Sequence, residues 1–204
     1  MSYGLRFEWP LSAARREMAG TSEQPVDSES TPTSLGIQRI VLTGFMGAGK
    51  STVGRLLASG LGWRFTDVDD AIEAAQGATI AAIFAQRGEP WFRQLEHETI
   101  RRLLSSERLV LALGGGAIED ERTRRLLLEA GETRLIHLDA SLDTVLLRCR
   151  GTETLRPVLQ DHAHLETRYQ RRLPLYRQAH LTVSVDSLLP EAVVATILAQ
   201  MGAN

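Results

Sequence analysis

An α/β fold, with three layers built around a five-stranded parallel sheet, is the class this sequence predicts. Three observations point to it. From residue 39 onward, short apolar runs alternate with segments of helical spacing. Several of those runs are unbroken, as strands covered on both faces are. The first run also leads directly into Gly44-Phe45-Met46-Gly47-Ala48-Gly49-Lys50-Ser51, which fits the phosphate-binding pattern G-x-x-x-x-G-K-[ST].

The elements follow in order. Residues 21–36 are rich in Ser, Thr, Pro and acids and offer almost nothing to bury, so they read as a disordered linker. Residues 1–20 hold Phe7, Trp9 and Leu11 and suit a short helix near Leu11–Met18, but lack the apolar core and cleavage site of a secretion signal. The expected organisation is an N-terminal extension over 1–36 and one domain over 37–204. Strands are predicted at Arg39–Thr43, Trp63–Thr66, Leu109–Leu113, Arg134–Leu138 and Leu181–Val185. A helix follows the glycine loop over Thr52–Leu61, with Val53, Leu56, Leu57 and Leu61 on its apolar side. Others are expected from Ala71 and over Gln94–Leu104, Arg122–Glu129, Ser141–Arg148 and Pro190–Met201. The polar stretch from Gly151 to His164, broken by Gly and Pro, reads as a mobile flap, and the lid is placed at about 150–164.

Composition narrows the function. The chain carries 23 Lys plus Arg against 25 Asp plus Glu, a net charge of −2, so it has no general attraction to nucleic acid or an anionic membrane. No apolar run approaches the eighteen or so residues of a membrane span. A single cysteine, Cys149, excludes an internal disulfide, fits a cytoplasmic protein, and sits in an apolar stretch that suits a core position.

Of those 23 basic residues only Lys50 is a lysine. A compact ammonium on a flexible stem can fold over a glycine loop and touch two phosphates, where a planar guanidinium is bulkier and geometrically fixed. Backbone N–H groups and the positive helix end converge on the same place, and Ser51 can offer a hydroxyl to Mg²⁺. The chain is therefore expected to bind a nucleoside triphosphate.

In parallel sheets ligands sit beyond the carboxyl ends of the strands. After the second strand come Asp67 and Asp69, two carboxylates expected to point the same way from extended chain; either could instead cap the next helix. After the third come Gly114, Gly115 and Gly116, whose backbone cost suggests close approach of a ligand. Between those strands Arg93 and Glu96 stand three apart on a predicted helix, close enough to pair, beside Phe84 and Phe92. From residue 148 to 177 the chain carries arginines 148, 150, 156, 168, 171, 172 and 177, most of which could form a solvated face.

Taken together the chain resembles the shikimate kinases, small P-loop enzymes of the nucleoside-monophosphate-kinase-like group. The motifs that carry the resemblance are GFMGAGKSTVGR, DVDDAIE, IFAQRGEPWFRQLE, LALGGGAI, LRPVL and RRLPLYRQAH, in the family's order, over roughly four fifths of the chain. The resemblance implies a P-loop kinase fold with a mobile lid, the cofactors ATP and Mg²⁺, and transfer of phosphate from ATP to the 3-hydroxyl of shikimate. It implies that Gly47, Ala48, Gly49, Lys50, Ser51 and Thr52 hold the ATP phosphates, with Ser51 and Asp67 on the metal. Asp69 would meet the substrate hydroxyls and stand as base, and Arg93 and Arg172 would clamp the carboxylate beside Gly114, Gly115 and Gly116. Arg156 would reach the transferring phosphoryl, Arg150 would stack on adenine, and the loop before Pro190 would complete the adenine pocket. Ala112 stands where some members carry a hydroxyl near the metal. The chain is expected to act as a monomer with a small-molecule partner. Cations near Asp69 are expected to lower its pKa, which makes it mainly an orienting group that accepts the proton late. Two other readings are a kinase for another small anionic hydroxy acid, gluconate-like or aminoshikimate-like, and a nucleotide-binding module without catalysis.

Overall fold

The structure, a computed structural model, describes residues 36–149 and 162–202; the expected N-terminal extension up to residue 35 and most of the expected lid, with Arg150 and Arg156, lie outside the described residues. Five strands form one parallel sheet: β1 (Arg39–Thr43), β2 (Arg64–Asp67), β3 (Leu109–Ala112), β4 (Thr133–Asp139) and β5 (Leu181–Ser184), in the order β2-β3-β1-β4-β5. The helices are α1 (Lys50–Leu61), α2 (Val68–Gln76), α3 (Ile80–Leu103), α4 (Glu121–Glu129), α5 (Leu142–Arg148), α6 (His162–Tyr176) and α7 (Pro190–Gly202).

The unbroken apolar runs have the expected cause. Every residue of β3 is buried, as are the last four of β1, so both faces of the central sheet are covered. Register fixes what stands at the carboxyl ends: Thr43 lies beside His137, and Asp67 beside Ala112. The helix α1 packs on α7 and over β3, while α4 packs on β4 and meets α3. Fully burying a single Leu or Ile of this core, such as Ile40, Leu111 or Ile136, contributes roughly 1.5–3 kcal/mol.

Several local expectations change. The helix expected over Gln94–Leu104 is the second half of α3, which begins at Ile80. Gly88 (φ 79°, ψ 168°) interrupts it, and Pro90 falls just beyond that break, where a missing N–H costs little. Gly88 thus divides α3 into two helical segments, and Pro90 stands at the start of the second. The helix after the glycine loop starts at Lys50 instead of Thr52, and Leu56 on it is exposed. Asp67 ends β2 and caps α2 by accepting the Asp69 N–H at 3.1 Å, so Asp69 belongs to the first turn of a helix and not to extended chain. Cys149 is buried, as expected.

Candidate active site

The glycine loop joins the central strand β1 to α1. Gly49 is the N-cap of α1 with φ 96°, a left-handed backbone that a side chain would strain. The Lys50 ammonium folds back over the loop and donates to the carbonyl oxygens of Gly44 (2.9 Å) and Phe45 (3.1 Å). Beside it the Ser51 hydroxyl donates to Asp67 Oδ2 at 2.7 Å.

These residues line one wall of a cleft of about 750 Å³, together with Gly47, Thr52, Asp69, Gly114, Gly115, Gly116 and Arg172. An adjoining cavity of about 290 Å³ shares Gly49, Thr52 and Arg148 with it, and adds Ala48, Leu188 and Pro190. Of the sequence-derived candidates within the described residues, all but Ala48 and Arg93 line the larger cleft, and Ala48 lines the adjoining cavity. Arg93 flanks the cleft: its guanidinium presses on the glycine triplet, where a Cβ built on Gly116 would lie 2.5 Å from Nη2. A Cβ on Gly114 would lie 2.7 Å from Asp69 Oδ1 and 3.0 Å from Glu96 Oε1. The glycines are thus required by close approach of charged groups to the main chain.

Two carboxylates on this wall are shifted. Asp69 is pushed up to about 6, mainly by burial and then by the charge of Asp67, against the opposing pull of Lys50 and Arg93. This corrects the expectation that neighbouring cations lower it: desolvation outweighs them. Glu96 is pushed up to about 7 by burial, although Arg93 pairs with it at 2.7 Å. The Arg93–Glu96 pair is no exposed surface bridge, since the Glu96 side chain is 2% exposed. Phe84 and Phe92 stack beside it, with ring centroids 4.6 Å apart.

Arg172 is buried, with its guanidinium 5.9 Å from the Phe45 ring. Two side chains here were not anticipated. Glu119, in the 3₁₀ turn Ala117–Glu119 after the triplet, accepts from Arg172 and Arg171. Arg148 donates to the Val185 carbonyl at 2.8 Å and borders both cavities. Glu119 follows no periodicity, and Arg148 was one of seven arginines with nothing local to separate it from its neighbours. Only the fold singles them out.

The donor set suits a small hard cation. Ser51 and Asp67 offer oxygen within one hydrogen bond of each other, facing the loop that suits phosphates. No cluster of three or more His, Cys, Asp or Glu able to hold a metal occurs among the described residues. The Ser51–Asp67 pair suits Mg²⁺, which keeps waters and takes few protein ligands plus phosphate oxygens. A hydroxyl at position 112 is not needed for this pair to meet.

Comparison with known proteins gives one consistent result. The family model for shikimate kinase matches residues 46–202. A shikimate kinase of Persephonella marina is 40% identical over 166 residues, covering 81% of this chain and 99% of the relative. That of Rhodococcus jostii is 44% identical over 167 residues, covering 80% and 97%. Among solved structures, the shikimate kinase from Acinetobacter baumannii in complex with shikimate superposes with a TM-score of 0.77 at 36% identity, covering 85% of this chain and 98% of the other.

Proposed function

Because this chain belongs to the shikimate kinase family, we propose which of its residues carry the transfer of phosphate from ATP to the 3-hydroxyl of shikimate. The triphosphate lies along Gly47, Ala48, Gly49 and Thr52, on backbone N–H groups and the amino end of α1. Lys50 leaves its loop carbonyls for the β and γ phosphates. Ser51 and Asp67 hold Mg²⁺, which when bound neutralises charge on the phosphate oxygens. The smaller cavity, with Arg148 and Pro190 on its rim, takes the base. Arg150 and Arg156, outside the described residues, keep the roles the resemblance implies: Arg150 against adenine, Arg156 on the transferring phosphoryl.

On the acceptor side Arg93 and Arg172 grip the carboxylate, because guanidinium groups offer paired donors in a plane. Gly114, Gly115 and Gly116 let the ring approach the main chain, and Asp69 meets the reacting hydroxyl. Phosphoryl transfer passes through a loose transition state, so catalysis is mainly positioning and electrostatics. A carboxylate with a pKa of about 6 accepts the hydroxyl proton more readily than an ordinary aspartate. The observation that carries the reading is that Asp69 stands in one cleft between the Lys50 loop and the Arg172 wall.

The same proposal takes the chain as a cytoplasmic monomer whose partner is the small acid. Its net charge of −2 supports the absence of a nucleic-acid partner. A coupled ADP-release assay across shikimate, quinate, gluconate and nucleoside monophosphates tests the acceptor. Shikimate should give by far the highest kcat/KM, and a higher value for any other acceptor overturns the assignment.

A further inference from the structure

We infer that Glu119 is a positioning residue that makes the cleft selective for an acceptor carboxylate by holding Arg172 side-on; this rests on the acceptor clamp proposed above. Arg172 Nε and Nη2 both reach Glu119 Oε2, at 2.9 and 2.6 Å, so the carboxylate occupies one edge of the guanidinium plane. The other oxygen, Oε1, takes Arg171 Nη2 at 2.5 Å. With its side edge held, the guanidinium turns Nη1 toward the cleft, where a Cβ on Gly115 would lie 3.6 Å away. Phe45 lies along it, and beside it the Tyr176 hydroxyl donates to the Gly115 carbonyl. Glu119 therefore aims the end of the fork at the position of an incoming carboxylate.

Charge balance supports the same role. Two guanidinium groups share one carboxylate, so a net positive charge remains for the substrate. Burial pushes Glu119 upward, but its bonds to Arg172 and Arg171 outweigh that and hold it below the usual carboxylate range. Arg93 is held in a matching way: its Nε and Nη2 reach Glu89 Oε1 at 3.3 and 3.0 Å while Nη1 takes Glu96. Of the two carboxylates that take a side edge of a guanidinium, Glu119 at 20% exposure is better shielded than Glu89 at 63%, while Nη1 of Arg93 is held by Glu96, buried more deeply than either.

A residue that merely staples α6 to the turn after the triplet would affect every acceptor alike. Glu119→Ala and Glu119→Gln are therefore compared with the unaltered chain on shikimate and on its methyl ester, whose neutral carbonyl cannot pair with a guanidinium. The shikimate KM should rise about tenfold in Glu119→Ala, with kcat falling less than about threefold. On the ester, kcat/KM should stay within about twofold of the unaltered chain, and so should the KM for ATP. Glu119→Gln keeps the shape without the charge and should show the same pattern, more weakly; it decides the matter if the alanine variant fails to fold. Equal losses on acid and ester, or an unchanged shikimate KM in both variants, would overturn the assignment. An unaltered chain that uses the ester as well as the acid would instead overturn the clamp beneath it.

Discussion

Asp69 and Glu96 converge on the Cα of Gly114 from two different helices: a Cβ there would stand 2.7 Å from Oδ1 of the first and 3.0 Å from Oε1 of the second. The half-buried carboxyl of Asp69 and the buried carboxyl of Glu96 share one unoccupied side-chain position, and the charge of Asp69 helps to raise the pKa of Glu96. Glu96 Oε1 has no hydrogen-bond partner among the described residues. The glycine is therefore a condition of the acceptor wall, and the first prediction starts from it.

Gly114→Ala should displace Asp69 and lower kcat/KM for shikimate by at least about tenfold, because small misplacements of a reacting group are costly. Binding of an ATP analogue, measured by calorimetry, should change little. Undiminished turnover would mean that Asp69 does not need its observed position.

Asp69→Asn should lower kcat by about 10²–10⁴ while the ATP KM stays within about threefold. In the unaltered chain, kcat/KM for shikimate should fall as pH drops through about 6, since the protonated carboxyl cannot take a proton. A variant defective only in ATP affinity would place this residue on the wrong side of the site.

Arg93→Ala should raise the KM for shikimate far more than that for ATP, by about tenfold or more. Its loss also leaves Glu96 buried without a charge partner, so the melting temperature should fall or Glu96 should take up a proton. Steady-state kinetics with each substrate varied in turn checks it, and equal effects on both KM values would break the clamp.

His137 bears on stability and not on turnover. Its ring is 2% exposed, stacks on Tyr176 at 5.1 Å, and has no partner at Nδ1 among the described residues. Burial lowers its pKa to about 4, opposed by Asp139 and assisted by Arg177 and Lys50. Between about 6.5 and about 4 the unfolded chain binds a proton that the folded chain refuses, so stability is lost as pH falls through that window. His137→Phe keeps the stack and removes the loss. Urea unfolding at pH 7.5 and 4.5 should show the variant gaining roughly 2 kcal/mol relative to the unaltered chain at the lower pH. A difference that does not depend on pH would show that the ring protonates freely in the folded state.

Much of this molecule was legible because its signals are local. The five strands are short runs of Val, Leu and Ile that must be covered on both faces, and the bounds of β1 read directly from the sequence as Arg39–Thr43. Asp69 could be named from its place after the second strand, and Arg93 and Arg172 from the resemblance to a family. Boundaries and charges were harder to read: the helix expected over Gln94–Leu104 begins earlier, just beyond the break at Gly88 within α3. Asp69 reads as acid-strengthened by cations, yet burial dominates, and burial is a property of the assembled wall.

By itself the amino-acid sequence determined the strands of the sheet and the phosphate loop, since each rests on residue type at fixed spacing along a short stretch of chain, while the acceptor followed from the resemblance to a family. Only the tertiary structure decided that Glu119 holds Arg172, that Arg148 borders both cavities, and that burial outweighs the neighbouring cations at Asp69. Those three facts depend on groups up to 101 positions apart in the chain, as Arg148 and Gly47 are. No local spacing encodes a desolvated contact of that kind; the closed packing of helices on the sheet creates it.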